Sequence, residues 1–287
     1  MQIQYINDSN TCQVKENAGV TYITFPKLEQ YHNKMIHGFS TRLGGVSKEH
    51  LGSMNLSFTR GDDVEAVMEN HRRFAKALGY DESKLVFSNQ VHLTNFHKVI
   101  KEDCGKGITR ESDILEIDGL VTNEPGVPLI TFYADCVPLF FYDPIKQVIA
   151  MAHSGWKGTV ERIGAKMVSY MEAEYGSKPE DIICAIAPSI CHKCYEVSED
   201  VALRFLEVFG DGYGEDLLYK KENGKYQLNL HKACEITLLE AGITSEHLDI
   251  TDICTCCNSG FLFSHRASNG MRGNLAGVMM LKEVSNI

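Results

Sequence analysis

The strongest constraint on the fold is an apolar stretch interrupted once by an Asp-Pro pair. Residues 139–142 and 147–152 are rich in aromatic and β-branched side chains, so both are predicted to be β-strands. Asp143 followed by Pro144 suits the first two positions of a type I turn. The stretch therefore predicts an antiparallel hairpin.

The hairpin places two chemically active side chains next to each other. If the turn is centred between Pro144 and Ile145, Cys136 lies directly opposite His153. Opposite residues share one face of a sheet, with Cα atoms roughly 4.5–5.5 Å apart. That spacing suits two ligands of one metal ion, or a thiolate and its base.

A third candidate ligand, His92, follows another apolar strand. Two imidazoles and a thiolate suit zinc, and three protein ligands leave one tetrahedral position for water or substrate. Such an ion lowers the pKa of a bound water to about 7. Two plain interpretations stay open: His92 bonded to a backbone carbonyl, and Cys136 as a small buried hydrophobe.

Two glycine-containing loops are candidate anion sites. Gly155 and Gly158 flank Lys157 where a strand leads into a helix, and Lys157 can add a positive charge for phosphate. Arg42 precedes Gly44 and Gly45 in the second loop and suits bidentate contacts to an anion or a purine. A plain strand-to-helix turn and a solvated surface arginine are the alternatives.

The chain has ten cysteines, and two further groups of them stand out. The segments Cys191–Cys194 and Cys254–Cys257 each look like a metal or redox motif. We identify no matching distant C-x-x-C for either, so structural thiols are the favoured interpretation.

Composition bounds the class of protein. The 287 residues carry a formal net charge of −10 with no Lys/Arg block, which argues against a nucleic-acid partner. No apolar run has membrane-spanning length, and the start lacks the basic and apolar regions of a signal peptide. We expect no membrane partner, a cytoplasmic location and reduced thiols. The oligomeric state is left open.

Strands and helices interleave without strict alternation, which predicts a layered α/β fold with mixed sheets in one domain over residues 1–287. Helices are predicted over residues 62–79, 160–175, 199–209 and 230–241. Strands are predicted near residues 21–25, 85–87, 95–100, 119–122, 128–133, 182–187, 249–253, 261–264 and 275–281.

Four motifs occur in one order along the chain: Asn89–His92, Ala134–Pro138, Ala152–Gly158 and Cys194–Val197. Together they resemble the YfiH-like family, long labelled laccase-domain or multicopper polyphenol oxidase and now associated with purine nucleoside phosphorylase activity. The resemblance implies zinc ligands at His92, Cys136 and His153. It also implies an α/β/β/α sandwich similar to that of cysteine-hydrolase toxins.

The resemblance further implies phosphorolysis of adenosine, inosine or guanosine, with adenosine deamination and methylthioadenosine cleavage as related activities. On this hypothesis Arg42 and Lys157 hold phosphate, and Ser40 and Asn55 contact the nucleoside. Asp135 acts as a general acid or base, or only orients a ligand. The family's usual Arg after Gly-Trp is Lys157 here, and its usual Tyr-Arg-Arg reads His265–Ala267.

Three other hypotheses remain. A copper-dependent phenol oxidase would use the same trio, but multicopper oxidases need paired histidine motifs, and this chain has no H-x-H. A metal-free hydrolase editing cell-wall precursors would use Cys136 as nucleophile and His153 as base. In a binding protein the trio would be structural only.

Overall fold

Two six-stranded β-sheets lie at the centre of the protein, in a computed structural model that describes residues 2–283. The strands are β1 Gln13–Asn17, β2 Val20–Thr24, β3 Met35–Ser40, β4 Val86–Phe87, β5 Phe96–Lys98, β6 Gly119–Thr122, β7 Leu129–Tyr133, β8 Val137–Asp143, β9 Val148–Ser154, β10 Ile183–Ile186, β11 Glu196–Val197, β12 Leu218–Lys220, β13 Tyr226–Leu228, β14 Leu248–Ile250 and β15 Leu275–Leu281.

Both large sheets are mixed. The first has the order β1-β2-β3-β15-β7-β4 and the second β14-β10-β8-β9-β6-β5, while β11, β13 and β12 form a small third sheet. Three pairs are parallel, namely β4 with β7, β5 with β6, and β10 with β14. The mixed sheets predicted from the sequence are confirmed.

Helices cover the outer faces of the two sheets. Helix α2 packs on the first sheet, and α4 and α7 pack on the second, which gives the predicted α/β/β/α order of layers in a single domain. The predicted bounds, residues 1–287, extend past the described range at both ends. Among residues 2–283, no helix combines the length and the apolar composition needed to cross a membrane. The helices are α1 Pro26–Glu29, α2 Val64–Leu78, α3 Trp156–Val160, α4 Ile163–Tyr175, α5 Glu199–Phe209, α6 Gly214–Leu217 and α7 Leu230–Glu240.

The hairpin of β8 and β9 is central to the second sheet and is buried on both faces. Phe140 and Tyr142 of β8 point between the sheets, where they meet Phe39 and Tyr133 of the first sheet in one apolar cluster. Leu139 and Phe141 point to the helical layer. Burial on both faces explains why this stretch is a continuous apolar run rather than an alternating one.

The register of this hairpin differs from the sequence prediction. Pro138, not Cys136, lies opposite His153, so the predicted pairing was wrong by two residues. A shift of two residues leaves every side chain on its predicted face, whereas a shift of one would reverse them. Cys136 and His153 therefore still approach each other.

A longer turn causes the shift. The strands end at the pair Asp143–Val148, so the loop has four residues instead of the two that a tight turn would have. The Asp143 carboxylate accepts the N–H groups of Ile145 and Lys146, and Gln147 is left-handed with φ 53°. An aspartate that bonds ahead to the backbone favours this wider loop.

Other boundaries also differ from the predictions. The helix predicted over residues 160–175 is two helices, α3 and α4, because Arg162 between them is left-handed with φ 59°. Asp63, not Asp62, caps α2. No strand forms at the predicted residues 261–264, where Phe261 lies in a turn and donates its N–H to the Asn258 carbonyl.

Candidate functional site

His92, Cys136 and His153 converge from three separate segments. His92 lies in the loop after β4, Cys136 directly precedes β8, and His153 lies near the end of β9. Their ligating atoms all lie within 4.8 Å of one another. The Cys136 Sγ atom is 3.8 Å from His92 Nε2, and the two imidazole centroids are 4.7 Å apart.

A buried carboxylate, Asp118, organises this triad of His92, Cys136 and His153. Its oxygens accept an N–H bond of 2.8 Å from Nδ1 of His153 and the backbone N–H groups of Val91, His92 and Leu93 at 2.9–3.0 Å. Asp118 thus fixes the loop that carries one imidazole and orients the other. With Nδ1 donating to the carboxylate, Nε2 is the nitrogen of His153 that would ligate a metal, and it would lose its proton as the metal binds.

The backbone around the triad adopts unusual conformations. His92 and Asp135 are both left-handed, with φ values of 65° and 84°. Non-glycine residues in this region cost free energy, so the surrounding contacts must hold them there. Gly155 makes room for the ligands, because a Cβ atom there would lie 2.6 Å from His92 Cδ2 and 3.4 Å from Cys136 Sγ.

Charge within the triad favours a thiolate. Burial by itself raises the pKa of Cys136, but the imidazoles of His153 and His92 outweigh it and lower that pKa to about 6. Burial by itself lowers the pKa of His153, but Cys136 and Asp118 outweigh it and raise that pKa to about 9. The imidazole of His153 and neighbouring N–H groups likewise keep the pKa of Asp118 low despite its burial.

The donor set fits a zinc ion. It offers two imidazole nitrogens and one sulfur, the sulfur favours the thiolate form, and a carboxylate orients one imidazole. These are the ligand types and the supporting contact typical of zinc sites with an open position.

Two cavities adjoin the triad, and both His92 and Cys136 line each of them. The larger has a volume of about 420 Å³ and is lined also by Arg60 and Arg272. The smaller has a volume of about 280 Å³. Its walls include Asp135, Trp156, Lys157 and Tyr195.

Three residues expected to bind substrate lie elsewhere. Ser40 and Asn55 are fully buried. The Arg42 guanidinium donates to the carbonyl groups of Gly52 and Ser259 at 2.6–2.8 Å, which makes it a link between two loops. None of the three lines either cavity. The donors of Arg42 are therefore engaged by backbone carbonyl groups, and its assignment to phosphate stays a prediction.

Asp135 lies beside the triad, but its carboxylate is occupied. One oxygen accepts the Thr255 hydroxyl at 2.6 Å, and the other accepts the backbone N–H of Arg266 at 2.7 Å. Both oxygens of Asp135 therefore accept hydrogen bonds, and its role, as a general acid or base or in orienting a ligand, stays a prediction. Lys157 lines the smaller cavity, with its ammonium 5.8 Å from the centre of the Trp156 ring.

Sequence reasoning missed Asp118, Arg60 and Arg272. Burial, followed by the neighbouring charge of Arg60, lowers the pKa of Arg272 to about 10. The Nε atom of Arg272 is buried and has no hydrogen-bond partner among residues 2–283. No ion pair in the same range includes either arginine. No local sequence motif identifies Arg60 and Arg272, because their role depends on the cavity that both of them line.

Comparison with known proteins gives consistent results. The family profile of multi-copper polyphenol oxidoreductase laccase matches residues 36–282. The purine nucleoside phosphorylase YlmD of Bacillus subtilis is 36% identical over 260 residues, which are 90% of this chain and 92% of that protein.

Solved structures agree with this match. The hypothetical protein YfiH of Bacillus licheniformis superimposes with a TM-score of 0.87 at 31% identity, over 95% of this chain and 100% of that one. YlmD of Geobacillus stearothermophilus superimposes with a TM-score of 0.86 at 31% identity, over 95% and 99% of the two chains. The chain therefore belongs to the YfiH-like, laccase-domain family that its motifs resemble.

Proposed function

We propose that the chain is a purine nucleoside phosphorylase that holds zinc at His92, Cys136 and His153. The name of the Bacillus subtilis relative supports the reaction, and the donor set supports the metal. The observation that carries the proposal is the larger cavity, because all three triad residues line it together with Arg60 and Arg272.

The cavity suits a nucleoside. Its volume of about 420 Å³ lies within the range typical of small-molecule sites. Phe58, Phe87 and Phe132 line it, and Phe87 packs edge-on against Phe132 with centroids 5.0 Å apart. Aromatic walls of this kind accept the flat face of a purine.

The two arginines suit phosphate. Among the described residues, Arg60 donates to the carbonyl groups of Arg272 and Gly270, but only at 3.2–3.4 Å, and the Arg272 Nε donor is free. Neither arginine has a carboxylate partner in the part of the chain that the structure describes. A phosphate dianion between two guanidinium groups satisfies both charges and accepts bidentate bonds. On this proposal they replace Arg42 as the phosphate-binding residues.

Phosphorolysis exchanges one bond at the ribose. A phosphate oxygen forms a bond to C1′ as the bond from C1′ to the purine nitrogen breaks, and the departing purine takes up the proton that hydrogen phosphate loses. Arg60 and Arg272 hold the attacking phosphate in place, which contributes through orientation. Zinc, when bound, supplies a positively charged Lewis acid at the cavity wall.

The direct experiment incubates the purified protein with adenosine, inosine or guanosine, with and without phosphate. Chromatography of the free base and of ribose 1-phosphate measures the reaction. We expect base release that requires phosphate, with equal amounts of the two products. If no purine nucleoside yields phosphate-dependent base, the proposal fails.

A pair of variants tests the phosphate site. Arg272→Gln is expected to raise the KM for phosphate on the order of tenfold or more, because a charged contact of about 1.5–3 kcal/mol is lost. Arg42→Gln is the matched control: it removes contacts to Gly52 and Ser259, so it lowers thermal stability and leaves that KM unchanged. The reverse pattern would return phosphate binding to Arg42.

A second candidate, a Cys–His hydrolase, is favoured by one observation. Cys136, His153 and Asp118 form a chain of sulfur, imidazole and carboxylate like that of thiol hydrolases. Metal content separates the candidates: the proposal requires one zinc per triad, while a hydrolase is metal-free and loses turnover on alkylation. Copper at the triad would support the oxidase hypothesis instead.

Ammonia release from adenosine tests for the deaminase activity that the family resemblance implies.

A further inference from the structure

Four cysteines outside the triad converge on one point. The Sγ atoms of Cys191, Cys194, Cys254 and Cys257 all lie within 4.8 Å of one another. Those of Cys194 and Cys257 are 3.4 Å apart. They belong to two C-x-x-C segments, so each segment is the partner that the sequence analysis did not identify for the other. We call these four residues the tetrad.

Backbone pairing brings the two segments together. Ser189 forms an isolated parallel bridge with Cys254, and the N–H of Thr255 donates to the Ser189 carbonyl at 3.1 Å. The N–H groups of Cys191 and Cys257 both donate to Cys254 Sγ, at 3.2 and 3.4 Å. Two donors on one sulfur stabilise negative charge there, which is the supporting contact that a thiolate ligand needs.

The geometry suits a tetrahedral ion. With a zinc–sulfur distance of about 2.3 Å, a regular tetrahedron places its sulfur atoms ~3.8 Å apart. The Cys194–Cys257 pair is at 3.4 Å and every pair lies within 4.8 Å, so the separations are compatible with that value. Sulfur ligation on all four sides is typical of structural zinc, which has no open position.

Burial agrees with a structural role. Cys254 is fully buried and Cys191 is only 5% exposed, while Cys257 is at the surface, which gives the cluster one solvent-facing side for metal entry. All four are free thiols. A disulfide between Cys194 and Cys257 would use only two of the four and leave the convergence of Cys191 and Cys254 unexplained.

We propose that the tetrad binds a second zinc ion as four thiolates, at a site separate from the triad. The thiol protons pass to solvent as the metal binds, and no electron is transferred. The inference is independent of the reaction proposed above, because it concerns a different set of ligands.

The position of the tetrad indicates what this ion does. One segment continues into Tyr195, which lines the smaller cavity. The other contains Thr255, whose hydroxyl bonds to the carboxylate of Asp135, the residue before Cys136. Joining the two segments therefore fixes one wall of the smaller cavity and supports the backbone next to the triad.

Metal content per chain is the test, measured by inductively coupled plasma mass spectrometry on protein expressed with added zinc. We expect two equivalents of zinc in the wild type. Cys136→Ala and the double variant Cys194→Ser with Cys257→Ser are each expected to retain one, and the triple variant none. Cys256→Ser is the matched control: it alters the neighbouring thiol outside the tetrad and should retain two.

Cobalt expressed into the protein gives an independent readout of the ligands. The thiolate-to-cobalt charge-transfer absorption grows with the number of sulfur ligands. Cys136→Ala should therefore keep most of the wild-type band, while the tetrad variant should lose most of it. This readout does not depend on enzyme activity.

Titration of the wild type covers the case in which the tetrad variants do not fold. Stepwise addition of a mercurial thiol reagent should release zinc in two phases, and a zinc-sensitive dye measures the zinc that is released. The proposal is overturned if the wild type holds only one equivalent and Cys136→Ala removes it. It is equally overturned if protein purified without oxygen carries a disulfide between Cys194 and Cys257.

Discussion

The triad and the tetrad are both clusters of metal-ligating side chains, yet they are built in opposite ways. The triad draws one side chain from each of three segments and adjoins two cavities. The tetrad draws two cysteines from each of two short loops that face each other. Ligand number and surroundings differ together in the two clusters. Three protein ligands beside a cavity leave one coordination position for water or substrate, whereas four protein ligands between two loops leave none.

The two clusters also differ in how their ligands are held. A buried carboxylate orients the triad through Asp118, whereas backbone N–H groups support Cys254 in the tetrad. A carboxylate adds negative charge and raises the basicity of an imidazole, while N–H groups offset the charge of a thiolate. The triad is therefore the cluster whose properties a single side-chain change alters most.

The largest effect is expected from Cys136→Ala. Removing the sulfur should cost one zinc equivalent and reduce phosphorolysis on the order of 10³-fold, because a charge-stabilising group leaves the cavity. Product chromatography and metal analysis measure the two losses. Cys104→Ala, at a free cysteine outside both clusters, is the control and should retain full activity. Wild-type turnover in Cys136→Ala would dismiss the triad as the catalytic site.

Acid would release metal from both proposed sites, so the acid stability of the fold limits the pH range over which their metal affinities can be compared. His37 sets part of that limit, since burial lowers its pKa to about 4 from the ordinary 6.5. Its Nε2 accepts the N–H of Phe25 at 2.9 Å, and a proton on Nε2 would abolish that bond. Between these two pKa values the unfolded chain binds more protons than the native one, so stability falls as pH falls.

Neutral His37 is expected to contribute about 3 kcal/mol to the free energy of unfolding. This contribution is complete above pH 6.5 and is lost near pH 4. Urea unfolding of the wild type and His37→Gln across this range measures it, and the variant should show a flatter pH dependence. His32→Gln, at an exposed position, is the control. Identical curves for the wild type and His37→Gln would contradict the prediction.

Asp118→Asn should weaken the triad selectively. Replacing the carboxylate by an amide is expected to reduce zinc affinity and activity about 10- to 100-fold, because one imidazole loses its charged partner. Competition with a zinc-binding dye measures the affinity. Asp143→Asn is matched in burial but bonds only to the hairpin loop, so it should change stability and not zinc affinity. The tetrad should keep its metal in both variants.

The smallest effect is expected from a methyl group beside the triad. Gly155→Ala brings a Cβ atom within 2.6 Å of the His92 ring, which must then move, and activity should fall on the order of tenfold. Gly158→Ala, three residues later, meets nothing closer than 3.5 Å and should be silent. Equal kcat/KM values in the two variants would show that the position of His92 is not critical.

The sequence predicted the layers, most strands and the meeting of Cys136 with His153. It did so even though the hairpin register was wrong, because a shift of two residues preserves the face of each side chain. A continuous apolar run and a strand period of two are local signals, and local signals were sufficient here.

Features that depend on distant segments were not predictable. The two C-x-x-C spacings of Cys191–Cys194 and Cys254–Cys257 are visible in the sequence, but the β-bridge at Ser189 that joins the segments is not. In the sequence Asp118 is an ordinary aspartate before a strand. Only the folded structure brings three N–H groups of the His92 loop to its carboxylate. Arg42 lies in the glycine-rich context of an anion site, but its guanidinium N–H groups donate to the backbone carbonyl groups of Gly52 and Ser259.

The left-handed backbone of His92 places fold robustness and chemistry in opposition at one position. Judged by conformation alone, glycine or asparagine would be the natural choice there, since both enter this region more easily than histidine. On the proposed function, a library screened only for thermal stability would therefore tend to replace His92 and to retain well-folded variants without activity. Engineering of this protein for thermal stability should therefore keep His92 unchanged, even where a substitution there raises the melting temperature.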